Sequence, residues 1–237
     1  MMSYLVAAML ASPTLYGLDL VHNAPAQAAL CTVDPDSGNV TVLGPGMSEL
    51  FGMSDLVAIA NGLFFYLGDT SAGATLVALD LKTGTKACSA HVDVAEIQFV
   101  GIGQSLDYDA STDTLLLSGV SLNRTEHVVY RGDASRTCGG FTKVGTYGLS
   151  DYLPMLHAST LDAAAQRLYV GLAPSSDGAA LGVIDLTGKA PMQVFDEAGT
   201  PDLHDLLIGM HFDPGNGAVS TPSRLVGIIG GGGLPLT

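Results

Sequence analysis

The sequence predicts an all-β protein, a β-propeller of four-stranded antiparallel blades with about five repeats, the last of them incomplete in sequence. Short apolar segments alternate with Gly-containing turns and recur every 46 to 53 residues or so, a period typical of propeller blades. No segment shows a sustained helical period with capping residues, so almost no helix is expected. The chain has 30 Gly and only 14% charged residues, as expected for short buried strands joined by tight turns.

The second half of each repeat is a hairpin in which an apolar strand leads into an Asp-containing, Gly-containing turn. Because apolar alternation and turn residues coincide, each hairpin is predicted to supply strands C and D of a blade. The copies are 29–34 with 40–44, 76–81 with 86–92, 181–186 with 192–195, and a degenerate copy, 127–130 with 141–145.

The first half of each repeat is a strand of small residues, a turn, and a strand rich in Leu and aromatic residues, predicted as strands A and B. The copies are 4–10 with 15–18, 56–60 with 63–67, 105–108 with 115–120, 156–161 with 167–172, and 208–212 with 224–229. A single domain, 1–237, is predicted, with repeats near 3–45, 48–95, 97–147, 150–199 and 200–237.

The fifth repeat shows strands A and B and then runs into Gly230 to Gly233. A blade without strands C and D would expose the edge of the strand at 225–229, and native proteins cover or complete such edges. Completion by an N-terminal strand of the same chain, completion by a partner, and a chain that is a fragment or an irregular array all stay open.

The turns at 33–41 and 79–84 resemble the (I/V/L)-D-x-x-(T/S)-G hairpins of the broad propeller superfamily that includes YVTN, NHL and quinoprotein-like repeats. The resemblance covers most of the chain and implies an architecture, since members of that superfamily range from enzymes to scaffolds. The chain has no Trp. The tryptophan motifs of quinoprotein and WD40 repeats are therefore absent, which argues against a quinone cofactor and against WD40 membership.

The charge of the chain excludes some partners. Its net charge is −14 and it has no basic run, so binding to nucleic acid or to an anionic membrane is not expected. No apolar run is long enough for a membrane span, and 1–10 lacks the basic region of a signal peptide, so neither is predicted.

The cysteines and the glycosylation motifs bear on localisation. Cys31, Cys88 and Cys138 are far apart and odd in number, so at least one lacks an intramolecular disulfide partner and no zinc knuckle is predicted. Asn39-Val40-Thr41 and Asn123-Arg124-Thr125 are glycosylation sequons. An extracellular or secretory location is the resulting expectation.

The innermost strands of a propeller line its channel, and three predicted A strands carry polar residues there. A divalent metal such as calcium or zinc, or an acid–base pair, is the chemistry that His and carboxylate side chains can provide. The candidates are Gln104, Ser105 and Asp107, His157 and Ser159, and His211 and Asp213; His157 and His211 are the candidate metal ligands and, with Asp107, the candidate catalytic residues.

Other polar residues fall in predicted loops. His204, Asp205 and Asp151 precede A strands, at one mouth of the channel, and together with Gln104 and Ser105 are candidate ligand-binding residues. The spacing of acidic residues and Ser from Asp107 to Asp113 resembles a calcium loop. It lacks that loop's Gly and Glu, so an ordinary A–B turn is predicted.

The remaining histidines, His22, His91 and His127, lie at strand ends and are assigned structural roles.

These features favour a non-catalytic binding or assembly module that contacts a protein or small ligand at a loop face or the channel mouth. The alternative is a small-propeller enzyme of the lactonase, lyase or cyclotransferase type, with a metal or an acid–base pair near His157 and His211. A third hypothesis is a structural subunit whose open last blade receives a strand from another chain. Self-assembly or a protein partner is expected for the first and third hypotheses.

Overall fold

The computed structural model describes residues 15–20, 27–50, 56–70, 73–94, 96–97, 104–149, 152–174, 180–188, 191–195, 206–213 and 224–230. The description covers the backbone alone in 20, 49, 69–70, 73, 152–158, 173–174, 195, 206–213 and 224–230. The described residues form seventeen β-strands and one 3-10 turn, Ser48–Leu50. The prediction of almost no helix is confirmed for this part of the chain.

Five antiparallel sheets follow one another along the chain. The first has three strands: β1 (Leu15–Leu20), β2 (Ala28–Val33) and β3 (Val40–Val42). The second has four: β4 (Leu56–Ala60), β5 (Leu63–Thr70), β6 (Gly73–Asp80) and β7 (Lys86–His91). The third has β8 (Ser105–Asp109), β9 (Thr114–Val120), β10 (Glu126–Asp133) and β11 (Thr142–Gly148).

The fourth and fifth sheets complete the series. The fourth consists of β12 (Tyr152–Asp162), β13 (Arg167–Pro174), β14 (Ala180–Asp185) and β15 (Gln193–Phe195). The fifth is the pair β16 (Leu206–Asp213) and β17 (Arg224–Gly230). In every sheet the strands pair in sequence order, as in a propeller blade, so the predicted fold class is confirmed. The strand predicted at 4–10 lies outside the described residues.

The chain divides into two compact units by its internal contacts. The first unit comprises the described parts of 1–94 together with 113–115 and 132–141. Its core is formed by residues of the first two sheets and the 3-10 turn: Ala28, Leu30, Leu50, Phe64, Tyr66, Val77, Leu79 and Leu81. Asn61 and Gly62 both have positive φ angles, which is the geometry of the two-residue hairpin turn that joins β4 to β5.

The loop after β10 belongs to the first unit and is fixed to the second sheet at three points. Cys138 forms a disulfide with Cys88 of β7. Arg136 Nη2 lies 2.6 Å from Asp80 Oδ2. Asn61 Nδ2 donates to the Ala134 carbonyl at 3.3 Å. The disulfide settles the cysteine arrangement that the sequence left open, with Cys31 as the buried free thiol.

The second unit comprises 95–112, 116–131 and 142–237, as far as they are described. Its core joins the third and fourth sheets and contains Leu116, Val120, Val129, Tyr147, Leu149, Leu161, Leu168, Val170, Leu172, Ala180 and Ile184. The first strands of three successive sheets lie side by side here, β8 beside β12 and β12 beside β16. This is the arrangement expected of innermost strands.

Four turns share one geometry, in which an Asp carboxylate accepts backbone hydrogen bonds. Each turn follows the strand predicted as strand C of its repeat: β2, β6, β10 and β14. Asp34 Oδ1 accepts from Asp36 N at 2.9 Å, Asp80 Oδ1 from Lys82 N at 3.0 Å, and Asp185 Oδ1 from Thr187 N at 2.9 Å. In the degenerate copy, Asp133 Oδ1 accepts from Ser135 N at 3.0 Å. Hydrogen bonds to the ionised form lower the pKa of all four carboxyl groups, with Arg136 the main partner of Asp80.

Two glycines of the first unit approach each other too closely to carry side chains. A Cβ at Gly84 would lie 2.6 Å from Gly44 N, and one at Gly44 would lie 2.4 Å from Gly84 O. Gly84 also has a φ of +63°, in the left-handed region.

We expect Gly84→Ala to destabilise the protein by more than the usual cost of a left-handed Ala, which is about 1–2 kcal/mol. Gly38→Ala is the matched control, because Gly38 occupies the equivalent turn position at φ +71° with no atom within 4 Å of the position that a Cβ would take. Chemical denaturation of both variants measures the difference. Equal losses of stability in the two variants would contradict the close approach.

Candidate functional site

The polar residues predicted to line the channel lie on β8, β12 and β16 or next to them. Ser105 and Asp107 lie on β8, and His157 and Ser159 lie on β12. His211 and Asp213 lie on β16. Because β12 lies next to both β8 and β16, these strands form a continuous surface within the second unit.

Asp107 is the centre of the part of this surface whose side chains are described. Its Oδ2 accepts a hydrogen bond from Ser105 Oγ at 2.8 Å. Ser105 Oγ in turn lies 2.9 Å from Ser118 Oγ on β9. The backbone N–H of Leu161, on β12, also hydrogen-bonds to the Asp107 carboxylate. The carboxylate therefore connects the two neighbouring inner strands.

The surroundings of Asp107 favour its protonated form. Removal of the carboxyl group from solvent raises its pKa to about 6, although the bonds from Ser105 and Leu161 act in the opposite direction. A carboxyl group with this pKa can both donate and accept a proton near neutral pH. Ser159 Oγ is buried on β12 and has no hydrogen-bond partner among the described residues.

The histidine pair was predicted to lie on neighbouring innermost strands with both side chains facing the channel. The backbones agree with the first part, since β12 and β16 are neighbours. The side chains of His157 and His211 lie outside the described residues, so their convergence stays a prediction. His157 falls within the register shift between Pro154 and Ser159, where β12 has no paired residues on β13.

The predicted ligand-binding residues have mixed outcomes. Gln104, just before β8, and Ser105 are both buried, and their contact with a ligand stays a prediction. Asp151, His204 and Asp205 lie outside the described residues.

The segment with calcium-like spacing forms a turn between β8 and β9. Asp109 is fully buried, and its Oδ1 accepts from Ser111 N at 3.0 Å. Its Oδ2 accepts from Gln166 Nε2 at 2.9 Å and lies 3.2 Å from Arg131 Nη2. Burial raises the pKa of Asp109, but hydrogen bonds led by those of Ser111 and Gln166 outweigh it and leave the pKa lowered. Through these contacts Asp109 links the turn after β8, which contains Ser111, to the turn after β12, which contains Gln166.

Among the described residues, no three His, Cys, Asp or Glu side chains come together in the way that a metal site requires. Nor does the described part contain a helix long and apolar enough to cross a membrane.

His127 is more unusual than its predicted structural role suggested. It is the second residue of β10 and is fully buried. Neither ring nitrogen has a hydrogen-bond partner in the described part of the chain. Burial lowers its pKa to about 4, so the ring is neutral in the folded protein at neutral pH. Its place near a strand end gave no signal of this environment.

Comparison with known proteins identifies a fold and no family. No protein-family model matches the chain, and no curated protein matches it. Solved structures do match, among them a structural-genomics protein of unknown function from Bacteroides thetaiotaomicron. It is 12% identical over 84% of this chain and 51% of its own, with a TM-score of 0.54.

Two enzymes are also similar in structure. An exo-β-1,3-galactanase from Phanerochaete chrysosporium is 13% identical over 91% of this chain and 54% of its own, with a TM-score of 0.52. A gluconolactonase from Xanthomonas campestris is 16% identical over 86% and 64%, with a TM-score of 0.49. The chain thus spans about half to two thirds of the length of these structures. At such identities the likeness to the Bacteroides protein and the galactanase, whose TM-scores exceed 0.5, shows the shared β-propeller fold alone.

Proposed function

We propose that this chain is a non-catalytic binding or assembly module, and that a strand from a partner or from a second copy joins it at β17. The proposal depends on the number of strands in the fifth sheet. Among the described strands, β17 pairs with β16 alone, whereas the second, third and fourth sheets have four strands each. The sequence of β17, RLVGIIG, is apolar and β-branched in its middle, which is typical of a strand inside a sheet that is buried on both faces.

The physical basis of the proposal is the row of backbone groups on the second edge of β17. An apolar edge seven residues long that no described strand covers invites pairing with another strand, and proteins use such edges to bind. The hydrogen bonds of strand addition come from the backbone, and alternate side chains of the added strand supply specificity.

We also propose an oxidising location for the protein, extracellular or in the secretory pathway. The support is the disulfide between Cys88 and Cys138, because such bonds persist mainly in oxidising compartments. The sequons at Asn39 and Asn123 are compatible with that location, and both asparagines are exposed.

Sedimentation velocity across a roughly thousandfold dilution series tests the assembly proposal, because an assembly held by mass action dissociates on dilution. We expect a species larger than the monomer at high concentration. A monomer at every concentration would contradict self-assembly, and a partner strand must then come from another protein or from this chain's own N-terminal segment.

Proline substitutions at Val226 and Gly227 locate the contact. Successive N–H groups of a strand point to opposite edges, so one proline removes a donor from the open edge and the other removes a donor from the pairing with β16. We expect one variant to be a stable monomer and the other to lose thermal stability. Undiminished assembly in both variants would contradict a role for the β17 edge.

The second candidate function is a small-propeller enzyme that uses Asp107 as an acid or base. The specific observation in its favour is the position of Asp107 on an innermost strand together with its raised pKa. His157 and His211 on the neighbouring strands are the residues that a divalent metal would require in this hypothesis, and His157→Ala should then abolish zinc or calcium binding.

The enzyme hypothesis first requires that Asp107 has a raised pKa in the folded protein. The carboxyl group of Asp107 keeps its proton up to about pH 6 in the folded protein but only to about pH 4 in the unfolded chain. The contribution of Asp107 to stability therefore falls as the pH rises between these values, by up to about 3 kcal/mol. Asp107→Asn should remove this contribution, so that the stability of the variant rises more steeply with pH than that of the wild type; Asp36→Asn, in an exposed turn, is the control. Unfolding free energies measured at several pH values decide, and parallel pH profiles for wild type and Asp107→Asn would contradict the assignment.

A further inference from the structure

We propose that the outer edge of β11 is a second binding site, one that takes an extended peptide segment of a partner protein, uncharged in its middle and basic at one end. The inference rests on the proposed function insofar as both describe a binding module, but it uses a different strand and a different test. It assigns a partner class to a surface in the third and fourth sheets.

A groove of about 470 Å³ lies along this strand. Residues 144–148 of β11 form one side, and Gly188 and Pro191, from the segment between β14 and β15, form the other. A groove against one face of a strand would meet only alternate residues, because side chains point to opposite faces in turn. Contact with five consecutive residues therefore favours a groove along the edge.

The edge of β11 is open to a partner within the described part of the chain. β11 is the outermost strand of its sheet and pairs with β10 alone. Val144 is displaced from the ladder by a register shift and is exposed, whereas 145–148 pair regularly with β10. Four regularly spaced residues cover about 13 Å, enough for a short strand to add by backbone hydrogen bonds.

The chemistry of the groove is polar and uncharged. Gly148 leaves the backbone bare of side chains, with no atom within 4 Å of the position that a Cβ would take. Thr146 Oγ1 is buried and has no hydrogen-bond partner among the described residues, although a buried hydroxyl normally has one. The hydroxyl of Tyr147 lies over Gly145, 3.0 Å from the position that a Cβ would take there. A peptide backbone offers donors and acceptors to both hydroxyls.

Charges near the groove favour a basic end on the peptide. None of the lining residues is charged. Glu126 pairs with Gly148 at one end of the groove, and Asp185 acts on the Tyr147 hydroxyl through its charge. Lys143, at the other end, is already paired with Glu96 at 2.5 Å. The whole chain, at −14, attracts cationic segments.

Two synthetic peptides test the site on the full chain: acetyl-TVTVK-amide, which is extended, uncharged in its middle and basic at its end, and acetyl-TVTVE-amide. Binding is followed by the shifts of backbone amide NMR signals. We expect the Lys peptide to shift the signals of 144–148 and to bind more tightly than the Glu peptide. The same Lys peptide with alternate amides N-methylated should not bind, because the strand donors are gone.

Val144→Lys and Thr146→Val are the site variants. Val144→Lys places a charged side chain on the edge itself, which hinders the addition of a strand, and should weaken binding by about tenfold or more. Thr146→Val keeps the shape and should weaken binding without lowering the thermal stability, since the hydroxyl has no partner among the described residues. Val40→Lys, at an exposed valine on the edge strand β3, is the matched control and should change nothing.

The outcomes separate this site from the proposed assembly at β17. Binding at 144–148 that Val144→Lys weakens and Val40→Lys does not supports the site, whatever the sedimentation result. No shifts at 144–148, or equal binding by the N-methylated peptide, overturns it. Equal effects of Val144→Lys and Val40→Lys also overturn it.

Discussion

Removing the disulfide by the double substitution Cys88→Ala, Cys138→Ala should lower the free energy of unfolding by about 4 kcal/mol. The bond joins residues 50 positions apart, so in the unfolded chain it closes a long loop and restricts the ensemble. In the folded chain it fixes the loop after β10 to β7, beside the ion pair of Arg136 with Asp80. Urea unfolding with and without reductant measures the effect.

Cys31→Ala is the control for this prediction. Cys31 is buried and free, and burial raises the pKa of its thiol, with a smaller contribution from Asp19. Its replacement should cost only about 1 kcal/mol, the central tendency for a point substitution. Thiol counting after denaturation without reductant should find one free thiol per chain. Three free thiols, or unfolding curves that ignore reductant, would contradict the disulfide.

His127→Leu should make the protein more resistant to acid. The neutral ring is buried with both nitrogens unpaired among the described residues, while in the unfolded chain it takes up a proton near pH 6.5. Since the folded pKa is about 4, stability is lost as the pH falls from 6.5 to 4, by about 3 kcal/mol. His127→Leu should remove this loss.

The same substitution should also raise stability at neutral pH by on the order of 1 kcal/mol, because it removes buried polar groups that have lost their water and gained no partner among the described residues. His91→Leu is the control, since His91 is exposed at the end of β7. Thermal melts from pH 4 to pH 7 test both effects. A variant that keeps the wild-type pH profile would show that the ring is not buried in its neutral form.

His127 and Asp107 act on stability in opposite directions over nearly the same pH range. Stability rises with pH through His127 and falls with pH through Asp107, between about pH 4 and pH 6. The two contributions largely cancel in the wild-type profile. The single variants should therefore show slopes of opposite sign, which the wild-type profile alone would not reveal.

The strands were predictable because two local signals agreed at each of them. Apolar alternation marked the strands, and Asp followed by Gly marked the turns. Asp34 and Asp80 show why that turn signal is reliable: each carboxylate accepts backbone hydrogen bonds, and Gly38 and Gly84 adopt the positive φ that closes the turn. Both effects lie within a few residues, so the sequence contains them directly.

The environment of single side chains was much less predictable. Cys88 and Cys138 meet because a loop folds onto a preceding sheet, and no local pattern records that contact. His127 and His91 both lie near strand ends, but one is buried and the other exposed. Burial depends on what packs over each residue, which is decided by residues distant in sequence.

The alignment of His157 with His211 illustrates a further limit. Matching the two positions by counting residues assumes that both strands pair with their neighbours without register shifts. β12 shifts register between Pro154 and Ser159, and β16 shifts between Leu207 and Gly209. In general a register shift changes which face of a sheet the following residues occupy, so matching repeat positions do not guarantee matching directions.

Amide hydrogen exchange at residues 225–229, resolved residue by residue at high and low protein concentration, tests the proposed assembly at β17 most directly. In a strand paired on one side, every second amide is free to exchange. We predict that at high concentration all amides of this segment are protected, and that every second one loses its protection on dilution. Protection of alternate amides alone at every concentration, or of all amides regardless of concentration, would contradict self-assembly through this edge.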